Sequence, residues 1–112
     1  PLSESMFHGS YTWASWFYRR MIRETGTFTP EEGIRKLTGQ VAERFGILNR
    51  GVVRKGAFAD LIIFDPQTFA DRGTTFEPSQ VAENMYHVIV NGVITVREGN
   101  LTGDRGGAIL RR

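Results

Sequence analysis

The side chains best suited to chemistry are few. His8 and His87 are the only imidazoles in 112 residues, and no cysteine accompanies them. A metal site needs several His, Cys, Asp or Glu ligands converging, and the chain has no HxH, HExxH or EF-hand spacing. No G-x-S-x-G elbow offers an activated serine. The stretch GVVRKG at 51–56 lacks the Gly-Lys-Ser/Thr of a phosphate loop, and GDRGG at 103–107 is not followed by a helical pattern. Asp60 and Asp65 bracket the apolar run Leu61–Phe64. Aspartate commonly starts or stops a strand by turning the chain, so both read as strand ends. His87 lies in an extended Tyr-His-Val run and reads as a cross-strand neighbour. His8 lies in a loop with Gly9 and Ser10 after it, and loops also carry function. Trp13, Trp16, Phe17 and Tyr18 have the rings to stack bases, but at helical spacing they read as core. From the residues alone, no catalytic residue and no metal ligand is assigned.

The elements that would hold these residues change character half-way. Ser10 is placed to cap a helix over 11–24. Trp13, Ala14, Phe17, Tyr18, Met21 and Ile22 cover nearly half of it, with Ser15, Arg19 and Arg23 on the opposite side. That arc is wider than a surface helix needs, and Gly26 can stop the helix. Thr29-Pro30-Glu31-Glu32 is a start signal: Thr29 caps, Pro30 takes the first helical position and Glu32 completes a capping box. Ile34, Leu37 and Val41 continue as a narrow stripe, with a break expected at Thr38-Gly39 and an end at Gly46. Beyond it, Val52-Val53 reads as a short extended piece. Leu61–Phe64 reads as a strand buried on both faces, because its apolar run does not alternate. The clearest hairpin is 85–90, Asn91-Gly92, 93–96, where Asn-Gly supplies the positive φ angles of a type I′ turn. The glycine-rich tail reads as a loop, with 108–110 a possible last strand. Helices first and strands second argue for an α+β chain or for parts of two domains.

Composition bounds the rest. Forty per cent apolar and 12% aromatic residues can build a core. The longest apolar runs are far short of the roughly 18 residues of a membrane span. The net charge is +2 and the basic residues are spread along the chain. A nucleic-acid surface would need them clustered, so neither a membrane nor a nucleic acid is expected as partner. No secretory signal is visible, and with no cysteine a cytoplasmic address is expected.

Several of these segments form a pattern. They are Phe28-Thr29-Pro30-Glu31-Glu32, then Thr38-Gly39-Gln40-Val41-Ala42 with Gly46, then the run from Gly51 through Gly56-Ala57-Phe58-Ala59-Asp60 to Leu61-Ile62-Ile63-Phe64-Asp65. Together they resemble the C-terminal region of the amidohydrolase superfamily. The tail HVIVNGVITVREGNLTGDRGGAILRR is similar to the end of the N-acyl-D-amino-acid deacylases, or D-aminoacylases. The resemblance implies a (β/α)8 barrel with a small composite β-sandwich. Residues 1–46 would supply the terminal barrel loop and helices, and 47–112 a portion of the sandwich. It implies a zinc-dependent hydrolase of N-acyl-D-amino acids whose metal-bound water attacks the amide carbonyl. Zinc would be held by residues preceding Pro1, leaving this fragment structural and inactive alone. His8, and less directly Tyr11, would line the substrate entrance, since barrel loops at that face form the active site. A dihydroorotase-like or hydantoinase-like amidohydrolase is the neighbouring alternative, and a free-standing binding module the alternative from another class. The expected partners are the remainder of a parent chain and a second copy, through an open sheet edge beside Leu61 or Met85.

Overall fold

The structure, a computed structural model, describes residues 9–111. It is an α+β chain of helices followed by an antiparallel sheet. Helix α1 (Gly9–Phe17) runs directly into a π-helical segment (Tyr18–Glu24), and α2 (Pro30–Leu37) and α3 (Gly39–Arg44) follow. The strands are β1 (Leu61–Phe64), β2 (Met85–Val90), β3 (Val93–Arg97) and β4 (Asn100–Leu101). No helix among the described residues is long and apolar enough to cross a membrane. The residues form two interleaved compact units. One joins the residues up to Gly33 with Asp65–Asn84; the other joins Ile34–Phe64 with the residues from Met85 onward.

In the first unit, Tyr18 and Ile22 are buried, and Tyr18 meets buried Phe69 edge-on at 5.7 Å between centroids. Arg19 Nε donates to Asp71 Oδ1 at 2.6 Å, and Arg23 donates to the carbonyls of Phe69 (2.7 Å) and Pro66 (3.2 Å). The connection 65–84 is thereby tied to the helix. Gly33 packs on Ile22 so closely that a Cβ there would meet its Cδ1 at 2.2 Å.

The first helix differs from its sequence reading in three ways. It already includes Ser10, so Ser10 does not stand ahead of it as a cap. Its second half is π-helical, with Thr25 N–H donating to Arg20 O five residues back. The buried face also includes Thr12 and Ser15, each 3% exposed, while Trp13 is 56% exposed. Ser15 was expected on the outer side. It is tolerated inside because its hydroxyl donates to Thr12 O at 3.1 Å, which satisfies the buried polar group.

The capping box at Thr29 forms as the sequence indicates. Thr29 N–H donates to Glu32 Oε2 at 3.0 Å, and Glu32 N–H donates to Thr29 Oγ1 at 3.2 Å. In the second unit the break between α2 and α3 falls at Thr38, which leaves helical geometry at φ −128°, ψ −87° and donates its hydroxyl to Ile34 O at 2.7 Å. Residues 52–53 form no strand, and Val53 is exposed.

The sheet runs β1-β2-β3-β4, every pairing antiparallel. Asn91 (φ 49°) and Gly92 (φ 79°) make the type I′ turn read from the sequence. Glu98 (φ 49°) and Gly99 (φ 79°) repeat that geometry and return the chain as β4. The last strand is therefore Asn100–Leu101, and 108–110 is not a strand. Gly106 lies against the hairpin instead: a Cβ there would stand 2.1 Å from Val90 O.

No residue of the four strands is buried, and Ile62 and Ile63 are 48% and 50% exposed. Leu61–Phe64 was read as a strand covered on both faces. It is instead an end strand of the sheet, with β2 inside it and no further strand paired to it among the described residues.

Candidate functional site

His8 falls outside the described residues. Tyr11 is the third residue of α1, half-buried and engaged in an interaction. Among the described residues, no three His, Cys, Asp or Glu side chains gather where they could hold a metal ion. Residues 9–111 therefore do not fit a zinc site.

Both flanking aspartates are committed to main-chain geometry. Asp60 Oδ1 accepts from Asn91 N–H at 2.8 Å, and its other oxygen pairs with Arg50. Arg50 also donates to Asn91 Oδ1 at 2.6 Å and lies over the Phe58 ring at 4.1 Å. The Asn91 amide then donates to Gly106 O at 2.6 Å. This chain of contacts fixes the hairpin turn to the start of β1 and to the tail. The Asn91 N–H, and after it the Arg50 guanidinium, hold the Asp60 carboxyl below the usual carboxylate range. Asp65 is lowered by Gln67 N–H, which it accepts at 2.8 Å, and by the Thr68 hydroxyl. Both are satisfied anions at turns. His87 pairs across the sheet with Ile63 and Arg97, and its Nδ1 accepts from Glu98 N–H at 3.4 Å. It braces the β3–β4 turn.

An open cleft of about 920 Å³ lies beyond the end of α3, in the second unit. Phe45, Leu48, Phe58 and Leu110 make its apolar wall, with Arg44, Arg50 and Arg111 at its rim. Arg50 is used by Asp60, and Glu43 by Arg35 at 3.1 Å. The last carbonyls of α3 point toward the same end, and they favour cations over anions. Among the residues that line the cleft there is no hydroxyl, thiol or imidazole, and the one carboxylate, Glu43, is paired with Arg35. The sequence reading passed over the Arg50–Asp60–Asn91 group because its members are 10 and 31 residues apart. A signal existed only in the Asn-Gly turn that one of them opens.

Residues 5–96 match the amidohydrolase family. The chain belongs to that family. This decides against a module unrelated to amidohydrolases. The chain is 41% identical over 90 residues to the D-aminoacylase of Alcaligenes xylosoxydans xylosoxydans, a match covering 80% of this chain and 19% of that one. It is 40% identical over 93 residues to the N-acyl-D-aspartate deacylase of the same organism, covering 82% and 18%. Its structure superposes with a TM-score of 0.81, at 35% identity, on the N-acyl-D-glutamate deacylase of Bordetella bronchiseptica, over 88% of this chain and 20% of that one. That deacylase was solved with zinc and a phosphonate mimic of the tetrahedral intermediate. This amidohydrolase chain spans about a fifth of the length of the curated relatives it matches.

Proposed function

We propose that the chain is the C-terminal portion of a cytoplasmic, zinc-dependent amidohydrolase that cleaves the amide bond of N-acyl-D-amino acids. The observation that carries this reading is the match to three deacylases of D-amino-acid conjugates, at 37–41% identity over four-fifths of the chain. Residues 1–46 contribute the terminal barrel loop and helices of the parent, and 47–112 a part of its composite sandwich. This division says which parent layer each residue joins, and it is distinct from the two compact units of the chain itself. The zinc ligands come from the remainder of the parent polypeptide, the chain's principal partner. Within residues 9–111 every aspartate considered as a catalyst is engaged in a turn or an ion pair, so the portion acts as scaffold. His8 and Tyr11 line the substrate entrance of the parent.

The test is the activity of the full reading frame. It is expected to release free amino acid from N-acetyl-D-amino acids and not from the L-enantiomers. Chelation should abolish that release and added zinc restore it. Turnover of dihydroorotate or hydantoin in its place would overturn the reading. The 112-residue chain alone is expected to be inactive and, by calorimetric titration, to bind no zinc tightly. His8→Ala in the full enzyme is expected to lower kcat/KM by roughly tenfold, about 1.4 kcal/mol of transition-state binding. An unchanged kcat/KM would remove His8 from the entrance.

A further inference from the structure

Asn91-Gly92 is the only Asn-Gly pair in the chain. Asparagine is a chemically labile residue, and most so before glycine. The Gly92 nitrogen can attack the Asn91 side-chain carbonyl carbon, because glycine has no Cβ to crowd the approach. The other three asparagines precede Arg50, Met85 and Leu101, whose side chains obstruct the same attack. The reaction needs only water. Gly92 N gives up its proton, the bond from Gly92 N to Asn91 Cγ forms, and the Cγ–Nδ2 bond breaks to release ammonia. Water then opens the cyclic imide at either carbonyl, leaving aspartate or isoaspartate.

The fold grips both reacting groups. Gly92 N–H donates to Ala59 O at 3.0 Å, so the attacking nitrogen is committed to another carbonyl. The Asn91 side chain is held at both ends: Nδ2 donates to Gly106 O at 2.6 Å, and Oδ1 accepts from Arg50 at 2.6 Å. Asn91 N–H adds a third tie, to Asp60 Oδ1 at 2.8 Å. Ring closure needs the Gly92 nitrogen brought against Asn91 Cγ. The type I′ turn, with Asn91 at φ 49° and Gly92 at φ 79°, holds the backbone in a different well. Arg50 acts the other way on the electronics. Its guanidinium polarises the amide carbonyl and would stabilise the oxyanion formed by attack. The amide is primed by charge and withheld by geometry.

We propose that Asn91 is a latent modification site, deamidated when the tail around Gly106 lets go of its amide. Gly106 belongs to a run, 102–111, with no helix or strand. Its hold on Asn91 is not reinforced by a ladder of hydrogen bonds, and such segments open most readily. Opening frees the amide while Arg50 still polarises it. The product does not return. An aspartate at 91 has no N–H for Gly106 O, and it sets a second carboxylate beside Asp60 with Arg50 shared between them. Isoaspartate adds a backbone atom to a turn of two residues. The change is one-way, and it marks any molecule whose tail has been loose. The proposal rests on the hairpin network and stands apart from the activity proposed above.

Peptide mapping that separates asparagine, aspartate and isoaspartate tests it on the full-length protein, incubated at mildly alkaline pH. The folded protein is expected to keep Asn91 over a time in which the guanidinium-unfolded protein converts it, ahead of Asn49, Asn84 and Asn100. Gly106→Ala, whose Cβ would stand 2.1 Å from Val90 O, must shift the tail. It is expected to deamidate at Asn91 roughly tenfold faster than the unaltered folded protein, since reaction follows the population of the open form. Gly107→Ala, with nothing within 4 Å, should match the unaltered rate. Circular dichroism at each time point shows that the variants stay folded. A further reading needs no variant: in guanidinium below the unfolding transition, the Asn91 rate should climb before the fold is lost. Equal rates in folded and unfolded protein would overturn the proposal. So would a folded Gly106→Ala no faster than Gly107→Ala, or a rate that rises only with global unfolding.

Discussion

Asp60 shows how a carboxylate beside an apolar strand can look catalytic and be structural. Its two oxygens hold a turn N–H and a guanidinium. Because its folded pKa lies below the unfolded one, its contribution to stability is complete above the ordinary Asp pKa of about 3.9 and is lost as pH falls through the folded value. Asp65 acts in the same direction. Urea midpoints are therefore expected to hold steady at neutral pH and to decline below about pH 4. Asp60→Asn should flatten that decline and cost about 1 kcal/mol at neutral pH, since the ion pair is partly exposed and screened. An equally steep acid limb in the variant would show that other groups carry it. That Asp60 and Asp65 end a strand was legible, because turn preference is local. Arg50 as the partner was not legible, because only the folded sheet brings position 50 to 60 and 91.

At the scale of elements, the punctuation was legible and the burial was not. The capping box at Thr29, the break at Thr38 and the Asn91-Gly92 turn are set by neighbours within four residues, so their signals are present in the sequence itself. Thr29→Ala should lower stability by about 1 kcal/mol in urea unfolding. The Glu98-Gly99 turn uses the same geometry with a residue less given to positive φ, which is why β4 escaped notice. The π-helical turns after Phe17 left no mark in the local sequence, and their residues Tyr18 and Arg19 contact Phe69 and Asp71, some fifty positions away. The faces of α1 and β1 were misread for a related reason: apolar pattern shows what can be buried, while exposure depends on what lies opposite. Gly106 gives a direct check on tail packing. Gly106→Ala, with its Cβ against the Val90 carbonyl, is expected to cost about 1–3 kcal/mol. Gly107→Ala, with nothing within 4 Å, should cost almost nothing by the same unfolding measurement.

At the scale of the whole molecule, the chain divides into two compact units. Its family could be read from the Gly56-Ala57-Phe58-Ala59-Asp60 approach to β1 and from the tail, and the match over 5–96 shows that family. The site was not legible, since no ligand cluster exists among residues 9–111 to be read. The interleaving of the units has a consequence for how the chain emerges during synthesis. Residues up to Gly33 wait for Asp65–Asn84, and Ile34–Phe64 wait for the segment that begins at Met85. The first unit cannot close until Asn84 has been made, and the second needs the hairpin after it. No single cut releases either unit whole. A protease that nicks the 65–84 connection disables the first unit, and a stop codon before Gly106 strips the Asn91 amide of its acceptor. A chain shortened from its C-terminus should therefore lose the second unit first, and the first only once the loss passes Asn84.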